Sequence, residues 1–227
     1  MLDYYTERVS NVKLIEPPCI ERYARWCERS KVFIMLSQKW KEKTGMRFEE
    51  KRVELKDGRK CVLRAVQPKD ANGMIEYLKI TSGETAFLLR NADEVKYTEE
   101  AERELLQRRL DDEGGFMMLA EIDGIIAGNC GIVSKGGYRR TNHRCGFAIA
   151  LKKDYWHLGL GSEMMKYALE LAEKIGYEQI ELEVVDGNDR AKSLYESFGF
   201  EVTGRNLRAL KYDDGSYKDE YVMIKVF

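Results

Sequence analysis

Histidine is scarce in this chain: of 227 residues, only His143 and His157 are histidines. The five cysteines, Cys19, Cys27, Cys61, Cys130 and Cys145, are odd in number, widely spaced and form no CxxC pair. Zinc sites draw on close-set Cys and His ligands, so no metal is expected. A disulfide framework is disfavoured too, and the cysteines read as reduced thiols of a cytoplasmic protein. Long apolar runs are also lacking. Nothing approaches the ~18–20 apolar residues needed to span a bilayer, so no membrane partner is expected. The opening MLDYYTERVS has neither the basic start nor the apolar segment of a signal peptide. Charge of one sign is missing as well: 38 Lys+Arg against 39 Asp+Glu leave a net charge of −1. That excludes a global pull on nucleic acid or anionic membrane, and only a local basic patch could supply one.

What is present is ample material for a core: 44% hydrophobic and 34% charged residues, in a length that fits one large domain or one domain with an appendage. Two textures divide the chain. In residues 1–50, Ile20, Tyr23, Ala24, Cys27, Phe33, Leu36 and Trp40 recur at helical spacing after Pro17-Pro18. This predicts an N-terminal helical extension, packed on the main domain or on a second subunit of a homodimer. From residue 51 the pattern becomes α/β. KRVELKDGRKCVLRAV reads as a hairpin turning at Asp57-Gly58, and Pro68-Lys69-Asp70 opens a helix to about Ile80. Residues 81–97 read as loop, Thr98 caps a helix over EEAERELLQRRL, and Gly114-Gly115 ends it. FMMLAEI and IIAGNCGIVSK form a second hairpin through Asp123-Gly124. Then follow a strand His143–Leu151, a helix Gly159–Ile175 with Met164, Met165, Ala168, Leu169 and Ala172 inward, a strand Gln179–Val185 and a helix Asn188–Phe198. Phe200–Thr203 and Tyr217–Val226 close the chain as strands. Hairpins on both sides of a βαβ unit imply a mixed sheet in an α+β protein.

Two features carry chemistry. In AIALKKDYWHLGLGSEMM a strand ends near Leu151, and Gly159-Leu160-Gly161-Ser162 opens a helix. Free N–H groups and the helix dipole favour an anion there, and glycines let backbone approach it. The same glycines could equally do no more than shape a tight strand–helix turn. A dinucleotide fold would need its third glycine where Met164 stands, and a Walker A loop would need GK[ST], which is absent. A pyrophosphate belonging to neither a dinucleotide nor a nucleoside triphosphate points to coenzyme A. In the second feature, IELEVVDGNDRAKSLYESFGFE, a strand carries Glu183, Asn188 caps a helix, Tyr195 lies two turns along it, and Gly199-Phe200 ends it.

Together these segments resemble the GNAT acetyltransferases. The glycine-rich element is similar to that family's pyrophosphate loop. Asn188, Ala191, Leu194-Tyr195 and Gly199-Phe200 are similar to its second cofactor-binding element, and GSYKDEYVMIKVF, with Asp219, Glu220 and Met223, to its closing strand. The resemblance covers about residues 51–227. It implies a mixed, mostly antiparallel sheet with a splayed central parallel strand pair and flanking helices. It also implies acetyl-CoA as co-substrate, and a primary amine of a small molecule or protein as acceptor. By the same resemblance the pantetheine arm pairs with strand backbone near Ile149 and Leu151. Trp156, His157, Leu158, Gly159, Leu160, Gly161 and Ser162 surround the pyrophosphate, and Asn188 and Ala191 serve the pantetheine. Tyr195 is the general acid for the departing thiolate; its alternative is an aromatic packing under the sheet. Glu183, twelve residues before Tyr195, takes the place of a base proposed in ribosomal-protein-modifying members; its alternative is a plain strand carboxylate. Glu181 and His143 are further base candidates. The chain departs from the family at Trp156, where Gln or Arg is frequent. A side-chain contact to phosphate is lost there, with His157 as a partial replacement. Lys135, Arg139, Arg140, His143 and Arg144 form a basic patch that reads as a solvated hairpin loop, or as a contact for an acidic substrate, a nucleic acid or the 3′-phosphate of coenzyme A. The rival readings are a non-catalytic acyl-CoA-binding module and a nucleotide-dependent oxidoreductase with an atypical loop.

Overall fold

Asp-Gly pairs between short apolar runs fold as hairpins. Strands β1 (Lys51–Glu54) and β2 (Lys60–Ala65) meet across Asp57-Gly58. Strands β3 (Phe116–Ile122) and β4 (Ile125–Ser134) meet across Asp123-Gly124. In the second turn both central residues have positive φ, 50° and 77°, as a two-residue hairpin turn matched to strand twist requires. The computed structural model describes residues 48–227, which form one unit from Phe48 onward. The helix expected around Ile20–Trp40 lies outside the described residues.

Four helices complete the described chain: α1 (Ala71–Glu84), α2 (Glu99–Asp111), α3 (Leu160–Ile175) and α4 (Asp189–Ser197). Strands β5 (Arg144–Leu151), β6 (Gln179–Val185), β7 (Glu201–Lys211) and β8 (Tyr217–Val226) finish an eight-stranded sheet of order β1-β2-β3-β4-β5-β6-β8-β7. Every pair is antiparallel except β5 with β6. Thr98 caps α2 through its hydroxyl, which accepts from the Ala101 N–H at 3.2 Å, and Gly176 (φ 102°) ends α3. On α3, Met164, Met165, Ala168, Leu169 and Ala172 are all buried, as their spacing predicts.

Two boundaries differ from expectation. Helix α1 runs to Glu84 instead of Ile80. Strand β7, expected to stop near Thr203, continues to Lys211. It is exposed along most of its length, so no alternating burial pattern marks it. Pairing with β8 holds it, through irregularities at Val202/Gly204 and Asn206/Leu210. At the second, Arg208 adopts φ 53° and donates its N–H to Asp219 Oδ1 at 2.7 Å.

Strand alternation sorts the helices onto two faces. A Cβ on Gly128 would meet Leu151 and the Met164 sulfur, so α3 covers the face carrying Phe147, Ile149 and Leu151. Gly161 of α3 sits within van der Waals reach of Leu194, which sets α4 beside α3 on that face. Helix α1 lies over the other face, where Gly73 approaches Ile126, and packs against α2.

Candidate active site

Strands β5 and β6 stay paired only from Arg144↔Gln179 to Gly146↔Glu181. Beyond that β5 keeps its partner β4 as far as Leu151, and β6 keeps its partner β8 as far as Val185. The sheet is therefore split down its middle at one end. Hydrogen bonds fix which backbone groups face the split. The Lys135 N–H donates to the Arg144 C=O (3.0 Å) and the Lys152 N–H to the Ala127 C=O (2.9 Å). Even-numbered residues of β5 thus bond β4, and Ile149 and Leu151 turn their N–H and C=O groups into the gap. On the far side the Asp186 N–H donates to the Asp219 C=O (2.9 Å), so the odd-numbered residues of β6, Glu183 among them, also face the gap with their backbone. Buried backbone groups are paired in almost all native structures. An opened ladder of this kind fits an extended amide-bearing ligand that pairs as a strand would.

Immediately after β5, a buried Tyr155 anchors the loop to α3, with the Arg59 guanidinium 4.9 Å from its ring centroid. The Trp156 indole N–H donates to the Leu151 C=O at 3.0 Å. That takes one of the gap-facing acceptors and leaves the Leu151 N–H and both groups of Ile149. His157 (φ 65°) and Gly159 (φ 86°) are both left-handed, a conformation that costs a residue other than glycine of order 1–3 kcal/mol. The Leu158 C=O is held from behind by the Lys56 N–H (3.1 Å). The first bond into the helix is the Glu163 N–H to the Gly159 C=O (3.1 Å), so the N–H groups of Leu160, Gly161 and Ser162 have no acceptor in the helix. A Cβ on Gly161 would come within 3.3 Å of Leu151 and 3.4 Å of Leu194, so no room is left for a larger side chain without displacing them. This loop has the free donors, dipole and bare backbone that a pyrophosphate needs.

Asn188 caps α4 through its side-chain oxygen, which accepts from the Ala191 N–H at 3.4 Å. Tyr195, two turns on, is 7% exposed and lies 6.0 Å from Phe200, ring centre to ring centre. Its hydroxyl has no hydrogen-bond partner among the described residues, and burial pushes the phenol above its ordinary range. It stays protonated at neutral pH.

The α1 face of the split carries carboxylates. Glu181 and Glu183 alternate with apolar residues along β6, and Glu220, opposite Val185 on β8, points the same way. Glu181 is 4% exposed and locked: Lys135 Nζ lies at 2.8 Å from Oε2 and Arg144 Nε at 2.5 Å from Oε1. Burial alone would raise its carboxyl, but those two cations hold it below its usual value. Glu181 is thus a structural carboxylate and is removed from the candidate bases. Among the described residues Glu183 is held only at 3.7 Å, from Lys135. Burial, then the charge of Glu183, pushes the Glu220 carboxyl above its usual value. Two members of the basic patch are engaged within the fold. Lys135 and Arg144 serve Glu181, and the hairpin 135–144 lies at the start of β5, roughly 25 Å along the strand from the Trp156 loop. It is out of reach of a phosphate bound there.

Sequence reading missed the clamps around the gap, whose partners are far apart in the chain. The Tyr77 hydroxyl on α1 donates to the Ala150 C=O (2.7 Å), and Glu84 at its end accepts from the Lys153 N–H (2.7 Å). The Tyr212 hydroxyl, on the turn between β7 and β8, donates to the Ala86 C=O (2.8 Å). The segment after α1 is thereby tied to both arms of the split sheet, with Phe87 close to Gly187 at the end of β6. Among the described residues no cluster of His, Cys, Asp or Glu could hold a metal ion, and no helix is long and apolar enough to cross a membrane.

A sheet split beside a helix N-terminus, with a buried phenol on one face and carboxylates on the other, fits an acyl-CoA-dependent transferase. The model of the acetyltransferase (GNAT) family matches residues 73–200, and the chain belongs to that family. It is similar to the L-amino acid N-acetyltransferase AaaT of Escherichia coli, 32% identical over 123 residues, covering 53% of this chain and 74% of that protein. A Bacillus subtilis protein provisionally named as a ribosomal protein bS18-alanine N-acetyltransferase is 30% identical over 115 residues, 50% of this chain and 70% of that one. Among solved structures, a GNAT-family acetyltransferase from Streptococcus pneumoniae superposes with a TM-score of 0.69 at 30% identity, covering 74% of this chain and 99% of that one. A Salmonella typhimurium protein solved with its cofactor acetyl-CoA shares the fold, with a TM-score of 0.64 at 15% identity over 73% of this chain and 93% of that one. The protein is an acetyl-CoA-dependent N-acetyltransferase.

Proposed function

We propose that the acceptor is an α-amine, either of a free amino acid or of a protein N-terminus, and that it reaches the acetyl group from the α1 face of the split sheet. The carrying observation is the arrangement across the split. Tyr195 stands on the α4 side, where the thiolate leaves. Glu183, with Glu220 beyond it, stands on the opposite face, where an amine would enter. Acetyl-CoA supplies the activated acyl group. In this reading the N–H groups of Leu158 to Ser162 hold the pyrophosphate and Ile149, Leu151, Asn188 and Ala191 hold the pantetheine. Glu183 accepts the amine proton, directly or through water, and Tyr195 returns a proton to the sulfur.

The choice of α-amine has two supports, the second for a protein N-terminus alone. Both named relatives act, by their names, on an amino acid or on an alanine of a protein. A chain-terminal α-amine has a pKa near ~7.7–8.0, against ~10.4 for lysine. Making it neutral at pH 7 costs about 1 kcal/mol instead of roughly 4–5 kcal/mol, a demand that a partly screened carboxylate such as Glu183 can meet. The cytoplasm, where a free-thiol protein is stable, belongs to the same proposal, and buried Cys61 and Cys145, each pushed up to about 12 chiefly by burial, suit it.

The test is acetyl transfer to a panel of free amino acids, peptides with free N-termini, and N-blocked peptides carrying lysine. Transfer confined to members with a free α-amine is expected. Transfer to the blocked lysine peptides alone would reject the α-amine reading.

A further inference from the structure

Arg190 is the second residue of α4, in its first turn. A cation there sits at the positive end of the helix dipole, an arrangement unfavourable by roughly 0.3–1 kcal/mol. No carboxylate pairs with it among the described residues, and burial lowers its pKa below the usual guanidinium value. It is held by stacking: its guanidinium carbon lies 3.4 Å from the centroid of the Trp156 ring. Trp156 is itself fixed by its bond to the Leu151 C=O and leads directly into Leu158–Ser162. Like charge therefore accumulates in one place. The free N–H groups opening α3 lie beside α4, as the approach of Gly161 to Leu194 shows, and the unpaired guanidinium joins them. An arginine without a carboxylate, held flat on an indole at the start of one helix and beside the free N–H groups of another, fits an external anion.

We propose that Arg190, stacked on Trp156, binds the pyrophosphate of coenzyme A. This rests on the loop being the cofactor site. One face of the guanidinium lies on the indole, and its N–H edge remains free for a phosphate oxygen. Trp156 thereby serves as a platform. The indole holds the planar fork in one orientation, which reduces the entropy lost on binding.

Calorimetric binding to the full chain tests this with three ligands: acetyl-CoA, 3′-dephospho-acetyl-CoA and acetyl-pantetheine. Arg190→Gln should weaken the first two equally, by roughly 10- to 100-fold, the range for a hydrogen bond to a charged group, and leave acetyl-pantetheine unchanged. Trp156→Leu should reproduce part of the loss, and Arg190→Lys should recover only part of the affinity. Unchanged affinity of Arg190→Gln for acetyl-CoA would overturn the proposal, and so would a loss that vanishes with the 3′-dephospho ligand, which would assign Arg190 to the 3′-phosphate. Gly161→Val separates this from failure of the loop itself. If that folded variant still binds acetyl-CoA at full affinity, the cofactor lies elsewhere and Arg190 falls with the loop. If it loses binding while Arg190→Gln does not, Arg190 alone is wrong.

Discussion

In the proposed reaction the departing sulfur takes its proton from a phenol that burial makes a weaker acid. Tyr195 is raised above the ordinary phenol range by burial, so it carries its proton across the whole working pH range. A coenzyme thiol is moderately acidic, near ~8.5 for a cysteine-like group, and needs only modest help in leaving. General acid catalysis is worth ~10²–10⁴-fold, and the lower end, about 10²-fold in kcat, is expected for Tyr195→Phe. The acetyl-CoA Kd should hardly move, because the ring keeps its packing on Phe200. Pre-steady-state measurement of the acetyl-transfer step in both enzymes checks this; equal rates would reduce Tyr195 to a packing residue. At this scale Asn188, Tyr195 and the loop glycines were legible, because each stands in a short motif whose spacing survives without the fold. Arg190 and Trp156 were legible singly but not as a pair. The one signal was a cation at the wrong end of a helix dipole, and its meaning depends on a stacking partner from another loop.

Among the elements, the hairpins and α3 were readable because their information is local: Asp-Gly turns, alternation and one apolar stripe. The length of β7 was not, because an exposed edge strand is specified by its neighbour β8 and by the carboxylate of Asp219, not by its own pattern. The split between β5 and β6 came only through family resemblance; nothing in either strand announces where the ladder stops. The structure does show what holds the closed end. Glu181 binds Lys135 from the β4–β5 connection and Arg144 from β5, bracing the last paired rungs of the parallel ladder. Its folded pKa lies below the unfolded value, despite burial, because of those two cations. The stability it contributes is therefore full above the unfolded carboxylate pKa of ~4.3 and is lost as pH falls through that value toward the folded one. Glu181→Gln should lower stability at pH 7 by about 1–3 kcal/mol and by much less below pH 4. Urea denaturation of both proteins at the two pH values measures it. A deficit as large in acid as at neutrality would mean that shape, not charge, is what Glu181 contributes.

Across the folded unit, the proposed reaction divides its tasks between helices on opposite faces of the split sheet. In that proposal α3 and α4 bring donors and a proton to the cofactor, and the acceptor enters from the face of α1, which is clamped through Tyr77, Glu84 and the Tyr212–Ala86 bond. The folded unit that supports this starts at Phe48, three residues before β1. Phe48 is 2% exposed and packs edge-on against Phe116 and Tyr167, with ring centroids 5.3 and 5.7 Å away, while the Tyr167 hydroxyl donates to the Glu49 C=O at 2.6 Å. Sequence texture put the boundary at residue 51 because β1 begins there and a lone aromatic before a strand carries no periodicity. The difference is measurable. A chain begun at Phe48 should bind acetyl-CoA with the Kd of the full protein, since the loop, the gap and α4 are all retained. A chain begun at Lys51 loses a buried phenylalanine, at a cost of about 3–5 kcal/mol, and leaves the Tyr167 hydroxyl without its acceptor. Its Tm should fall by roughly 6–20 °C, taking 2–4 °C per kcal/mol for a unit of this size. Equal Tm for the two chains would show Phe48 to be dispensable. A folded chain begun at Phe48 that fails to bind acetyl-CoA would instead make residues 1–47 part of the cofactor site.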